Sequence, residues 1–258
     1  MSIFGVTLLT WLSVATCMAL ATYVQTLTGF AFSLLFVGLI SAFDLVPLEE
    51  ATNAISVITL IQTAAYYRSH PIQADWKLVR PAIVPSVVGV VAGVALLVWL
   101  SGSAIYLLKY VLGVTILLTA LSMLAKPVPW PAVSSAAVFR IAGLLSGLMG
   151  GLFSTAGPPL VYLLYRQPVP QRVVHQCLYL MFTIGQVVRL VFIAVAGSFT
   201  WRSLLYIGLS LPVVLLVHFA NQRFPVRLSE RNTARLAAAL LIIAGAGLIY
   251  SNFTRLPR

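Results

Sequence analysis

The chain has 258 residues, 60% of them hydrophobic and only 8% charged, with a formal net charge of +11 and a mean hydropathy of +1.02. Soluble domains carry about 25% charged residues, so a soluble enzyme or binding module is excluded and an all-α polytopic membrane protein is indicated. The surplus Lys and Arg gather at the ends of apolar runs, where they read as orientation signals and imply no nucleic-acid partner.

In chain order, the first half holds apolar segments at 3–24, 29–43, 51–67, 81–101 and 104–125. The first two meet at "VQTLTGFAF" (24–32), where Thr28 and Gly29 interrupt the run. Segment 29–43 would be about 22 Å long at the helical rise, too short for a hydrocarbon core of about 30 Å. Segment 51–67 follows the acidic "VPLEEATN" (46–53) and sets Thr52, Ser56, Thr59 and Thr63 on one helical face, with Asn53 and Gln62 beside it. The run 81–100 (PAIVPSVVGVVAGVALLVWL) is uncharged over the ~20 residues that a spanning helix needs. A linker at 126–137 opens with "KPVPWP", whose prolines suit an extended connection rather than a helix.

The second half holds segments at 138–153, 158–165, 173–196, 203–220 and 232–252. The first two would be about 24 Å and about 12 Å long, and neither crosses a core of about 30 Å comfortably. Arg140 and Arg166, at their outer ends, favour the same aqueous side, so 138–166 reads as a re-entrant hairpin that turns back near the midplane. At its tip, "FSTAGPP", Ser154 or Thr155 is expected to cap the next helix and Pro158 to open it, where a missing N–H does no harm. Irregular backbone at that depth must be buried in protein or line a watery cavity. Gly143, Gly147 and Gly151, like Gly89 and Gly93, are spaced four apart, as close helix packing requires. Gly157, Pro158 and Pro159 lie beyond that stripe and mark a break.

The halves correspond. "ADWKLV" (74–79) answers "FTWRSL" (199–204), and "VPLEEATN" answers "VPQRVVHQ" (169–176). Five segments per half is an odd number, so the repeats are expected to be inverted, each starting with a broken or re-entrant helical hairpin. The loop charges reverse accordingly: Asp44, Glu49 and Glu50 precede the third segment of the first half, while Arg166 and Arg172 precede its counterpart. The expected organisation is a first repeat at 1–125, the linker at 126–137 and a second repeat at 138–258, with the two hairpin tips meeting near mid-membrane. Broken helices at the interface of inverted repeats are a recurrent transporter plan.

His175, Tyr179, Phe182, Gln186 and Arg189 share one face of the segment 173–196. Arg189 has two readings, an anion-binding group within the membrane or a side chain that snorkels to the segment's outer end or serves structural pairing. Gln25, Gln62 and Gln186 are neutral donors suited either to oxyanion oxygens or to interhelical hydrogen bonds. No Asp or Glu lies deep in a segment, so the usual carboxylate for proton or sodium coupling is missing. No paired Glu and His, aspartate dyad or metal motif lies within the spans, which argues against an enzyme and against a metal or other cofactor. Cys17 and Cys177 lie in apolar segments and read as packed thiols.

"VQTLTGFAFSLLF" and "GLLSGLMGGLFSTAGPPLVYLL" resemble the two repeated motifs of the TauE/SafE family of sulfite-exporter-like permeases. The resemblance extends over nearly the whole chain and implies a multi-pass protein of the bacterial inner membrane that transports sulfite or an organosulfonate, with a small sulfur oxyanion and the lipid bilayer as partners. Gly29 and Gly157 match motif glycines, with Gln25, Thr28, Thr155, Pro158 and Pro159 beside them. The expected substrate-binding set is Gln25, Thr28, Gly29, Phe30, Asn53, Gln62, Ser154, Thr155, Gly157, Pro158, Gln186 and Arg189. Phe30, Phe32 and Phe153 would either admit an apolar substrate tail or serve packing. The expected mechanism is alternating access, with an anion channel on the same scaffold or a carrier of another small organic anion as alternatives. Oligomeric state, direction and coupling ion are not legible.

Overall fold

In hydrocarbon every backbone N–H and C=O must be satisfied within the chain, which selects helices. The computed structural model describes residues 2–3, 6–28, 31–69, 74–124, 129–155, 157–224 and 229–254. After a short antiparallel pairing of β1 (Ser2–Ile3) with β2 (Val6–Thr7), ten helices follow among the described residues: α1 (Leu8–Thr28), α2 (Phe32–Ala42), α3 (Leu48–Ser69), α4 (Trp76–Ser103), α5 (Ile105–Leu124), α6 (Ala136–Phe153), α7 (Pro158–Tyr165), α8 (Gln171–Val195), α9 (Trp201–Arg223) and α10 (Glu230–Thr254). Each corresponds to one expected apolar segment, and α7 begins and ends where the sequence placed it. Six of them, α4, α5, α6, α8, α9 and α10, are long and apolar enough to cross a membrane. The 18 residues of α6 put it in that group, because the helix starts two residues before the expected segment. The shortfall in length rests with α7, of 8 residues, and α2, of 11.

Helix starts repeat between the halves. Asp75 caps α4 by accepting a hydrogen bond from Lys77 N (2.9 Å), and Thr200 caps α9 by accepting one from Ser203 N (3.3 Å). In each case an exposed tryptophan, Trp76 or Trp201, is the first helical residue, the amphipathic anchor expected at a membrane interface. Large apolar side chains such as Val84, Trp99, Leu216 and Ile243 are likewise exposed, a surface suited to acyl chains and costly in water.

The chain forms two compact units. Unit 1 comprises Met1–Ala54, Ile105–Leu124 and Thr200–Arg258, and unit 2 comprises Ile55–Ala104 and Ala125–Phe199. These units are not the sequence halves, since each takes helices from both, and the division falls inside α3. Within unit 1, α10 packs on α5 and α2, and α1 on α2 and α9, around buried Leu34, Ile40, Leu112, Ile116 and Leu241.

Within unit 2, α4 packs along α6 and α8. The glycine stripes explain the closeness of α4 and α6. A Cβ on Gly143 would lie 2.6 Å from Ala82 O, and one on Gly151 would lie 2.7 Å from Val94 N and 2.8 Å from Gly93 Cα. These neighbours are backbone atoms, so no side chain can step aside. The linker residues 129–135 are non-helical and are fastened to the end of α7. Trp130 N donates to Arg166 O (2.8 Å), Gln167 Nε2 donates to Ser134 Oγ (3.0 Å), and the Arg166 guanidinium lies over the Tyr162 ring at 4.6 Å.

Candidate functional site

The break between α6 and α7 is built by three local choices. Ser154 ends α6 in the left-handed region (φ 55, ψ 28), its N–H bonded to Gly150 O at 2.9 Å, a conformation costing a non-glycine residue on the order of 1 kcal/mol. Gly157 then takes an extended conformation as the cap of α7, and Pro158 and Pro159 fill the first two helical positions. The expectation that Ser154 or Thr155 caps α7 is therefore corrected: Ser154 terminates the preceding helix, which frees its hydroxyl for partners elsewhere. Prolines also carry no N–H, so Leu160 is the first residue of α7 with an amide donor. Side chains, more than the helix end, must supply the donors at this break.

Gly157 is fixed by close approach. A Cβ there would lie 2.7 Å from Ser146 Cα, and Ser146 Oγ donates to Gly157 O at 3.2 Å. The start of α7 is thus folded back against α6.

Arg189, on α8, points into this region and is fully buried at 0% exposure. Its Nε donates to Gly151 O (3.0 Å) and its Nη1 to Ser56 Oγ (2.7 Å). Snorkelling is overturned, because the guanidinium turns inward and makes structural pairings with oxygens of α6 and α3. Gly151 O belongs to the last turn of α6, where a cation complements the helix dipole.

The bonds have a direction. Ser154 Oγ donates to Gln186 Oε1 (3.2 Å), while Gln186 Nε2 donates to Ser154 O (2.9 Å). A hydroxyl has one proton to give, so in the short Ser56–Ser154 hydroxyl pair Ser56 is the donor. The relay runs from the Arg189 N–H to Ser56, from Ser56 to Ser154, and from Ser154 to Gln186. Aligned bonds of this kind polarise one another in a low-dielectric interior. A double-mutant cycle with Ser56→Ala and Ser154→Ala should therefore give a coupling of about 0.5–3 kcal/mol in stability; strictly additive losses in melting measurements would deny the relay.

Of the sequence-derived set, Ser154, Gln186 and Arg189 are joined by hydrogen bonds, with Thr155 and Gly157 buried and Pro158 partly buried next to them in the chain. Gln62 also lies in unit 2, on α3. Its Oε1 and the Oγ1 of Thr59, beyond Ser56 on the same helix, are buried without a hydrogen-bond partner among the described residues. Gln25, Thr28 and Asn53 lie in unit 1, where Thr28 Oγ1 donates to Val24 O (2.9 Å) and Asn53 is fully buried. Gly29 and Phe30 lie outside the described residues. Phe32 stacks on Phe36, and Phe153 is fully buried in unit 2, as packing residues are. Sequence reasoning left Ser56 out of the set, although its place on the polar stripe of α3 was a usable signal. The Gly151 carbonyl had no signal at all.

Residues 14–248 match the family described as "Sulfite exporter TauE/SafE". The chain is also 34% identical over 242 residues, 94% of each chain, to the "Probable sulfite/organosulfonate exporter TauE" of Cupriavidus necator (strain ATCC 17699 / DSM 428 / KCTC 22496 / NCIMB 10442 / H16 / Stanier 337). No solved structure matches it. With a family match over most of its length, and with six helices able to cross a bilayer, the chain belongs to the TauE/SafE family of multi-pass membrane transporters.

Proposed function

We propose that this chain is a secondary permease of the bacterial inner membrane that moves sulfite or an organosulfonate by alternating access, and that the anion is held at the α6–α7 break. The observation that carries this reading is the fully buried Arg189 guanidinium, bonded to Gly151 O and Ser56 Oγ beside Ser154 and Gln186. A sulfonate keeps its charge at physiological pH and presents three acceptor oxygens. Arg189 supplies the charge and a planar fork of donors. Ser56 and Ser154 turn their hydroxyls from each other to the anion, and Thr59, Gln62 and Thr155 offer further polar atoms.

Inverted repeats and re-entrant hairpins belong to the same proposal. They are supported by the matching caps at Asp75 and Thr200, by the presence of one short-helix break in each unit, and by the packing of α1 on α9 and of α6 on α4, which are equivalent pairs under the repeat. In this scheme Gln25, Thr28, Gly29, Phe30 and Asn53 serve the corresponding break of the first repeat.

The test is a melting-temperature screen of detergent-purified protein against sulfite, taurine, sulfoacetate and toluenesulfonate, followed by flux in proteoliposomes. A ligand at a hundred times its Kd stabilises the native state by about 2.7 kcal/mol, so one sulfur oxyanion should raise the melting temperature while chloride does not. Unlabelled anion inside the vesicles should accelerate uptake of labelled anion. Flux without such counterflow stimulation would indicate a channel, and no binding by any sulfur anion would sink the proposal. Gly157→Leu should abolish transport, because the first carbon of its side chain would already lie 2.7 Å from the backbone at Ser146 Cα and 3.0 Å from Met149 Sδ; full activity in that variant would remove the break from the site.

A further inference from the structure

The sequence contains five acidic residues, and among those whose side chains are described the fold treats one differently. Asp44 is paired with Lys109, and Asp75 caps α4. Glu50 was read with the loop charges that precede the apolar segment 51–67, yet it is only 9% exposed. Its Oε2 is buried with no hydrogen-bond partner among the described residues.

The local cause is visible in the sequence. Glu50 is the third residue of α3, a position from which a glutamate ordinarily reaches back to the N–H of the capping residue. Pro47 O accepts the first bond of the helix from Ala51 N (3.0 Å), which makes Pro47 the cap, and proline has no N–H to offer. The carboxyl is left within electrostatic reach of Arg202 and Tyr206 on α9, with Glu49 acting from its own turn. Tyr206 is itself buried, its ring 5.5 Å from that of Trp11 on α1. Burial is the largest influence on Glu50 and pushes its pKa above the ordinary 4.5; Arg202 opposes the shift and Glu49 adds to it.

We propose that Glu50 is a proton-binding site of unit 1, taking up a proton as the carboxylate is buried and releasing it to water during the transport cycle, so that anion movement is linked to proton movement. The link rests on the permease reading above; the proton site does not. A neutral carboxylic acid costs far less to bury than a carboxylate, which gives protonation a direct influence over which arrangement of the helix end is stable.

Two measurements test this. In the first, melting temperature is followed against pH for the wild type and for Glu50→Gln. A proton held by the folded state and already lost by the unfolded chain stabilises the fold at low pH, and this stabilisation fades as pH rises through the raised value. The wild type should therefore lose stability relative to Glu50→Gln as pH rises above 4.5, and parallel curves would overturn the proton site. In the second, proteoliposomes carrying Glu50→Gln should retain counterflow exchange of labelled sulfite or sulfonate but lose at least tenfold in net flux driven by a pH gradient. Undiminished gradient-driven flux would overturn the link. A wild-type protein that moves no anion would overturn the permease reading and the link with it, while the melting curves would still decide the proton site.

Discussion

Arg189→Met should abolish the melting-temperature rise produced by a sulfur oxyanion and eliminate uptake, without unfolding the protein. Charge-assisted hydrogen bonds contribute about 1.5–3 kcal/mol each, so loss of two such bonds to a bound anion corresponds to at least about a hundredfold in affinity. Stability follows a different balance. Methionine fills much of the arginine volume and removes the cost of burying a charge, but it leaves Gly151 O and Ser56 Oγ without the donors they now have. The ligand-free melting temperature should therefore move by only a few degrees in either direction. Arg189→Lys keeps the charge but cannot hold two oxygens in one planar fork, and about a tenfold loss in affinity is expected. If Arg189→Met still responded to sulfite or sulfonate as the wild type does, Arg189 would be only the cation that closes the last turn of α6.

Gly151→Ala should carry a large stability penalty for the addition of one methyl group. The added Cβ would meet Val90 O, Val94 N and Gly93 Cα, all backbone, so α4 and α6 must move apart. Overpacking of this kind costs about 1–3 kcal/mol. The carbonyl of Gly151 itself accepts the Arg189 Nε bond, so the displacement also reaches the anion site and transport should fall with stability. Gly185→Ala is the control, because its Cβ would find Val90 Cγ2 at an ordinary 3.8 Å and removal of a mid-helix glycine is worth about 0.5–1 kcal/mol. Melting curves of the two variants should diverge in opposite directions; equal curves would mean that the glycine stripe does not set the spacing.

The positions of the helices were legible because the bilayer imposes one rule on every segment. Apolar runs of sufficient length must be helical, and Pro, Gly and charge mark their ends, so Pro158–Tyr165 emerged at its full extent. The break at residues 154–157 was legible for the same reason, and Gln186 and Arg189 stood out because polar groups are costly in such a run. The direction in which Arg189 points was not, since a long flexible side chain reaches either the interface or the interior according to what acceptors lie within its reach, and one of them is a main-chain oxygen. Nor was the role of Ser154, whose capping side depends on a left-handed φ that hydropathy does not encode. Glu50 looked like a loop charge until the fold buried it within electrostatic reach of Arg202 and Tyr206, which are distant in sequence.

By itself the sequence determined an all-helical membrane protein, the places of its apolar segments and its family, because length, hydropathy and local backbone chemistry act within a few residues. Only the tertiary structure decided which helices share a unit, which polar groups meet and which carboxyl is buried. Those outcomes depend on contacts between residues far apart in the chain, where one small side chain or one missing N–H determines how closely two helices approach.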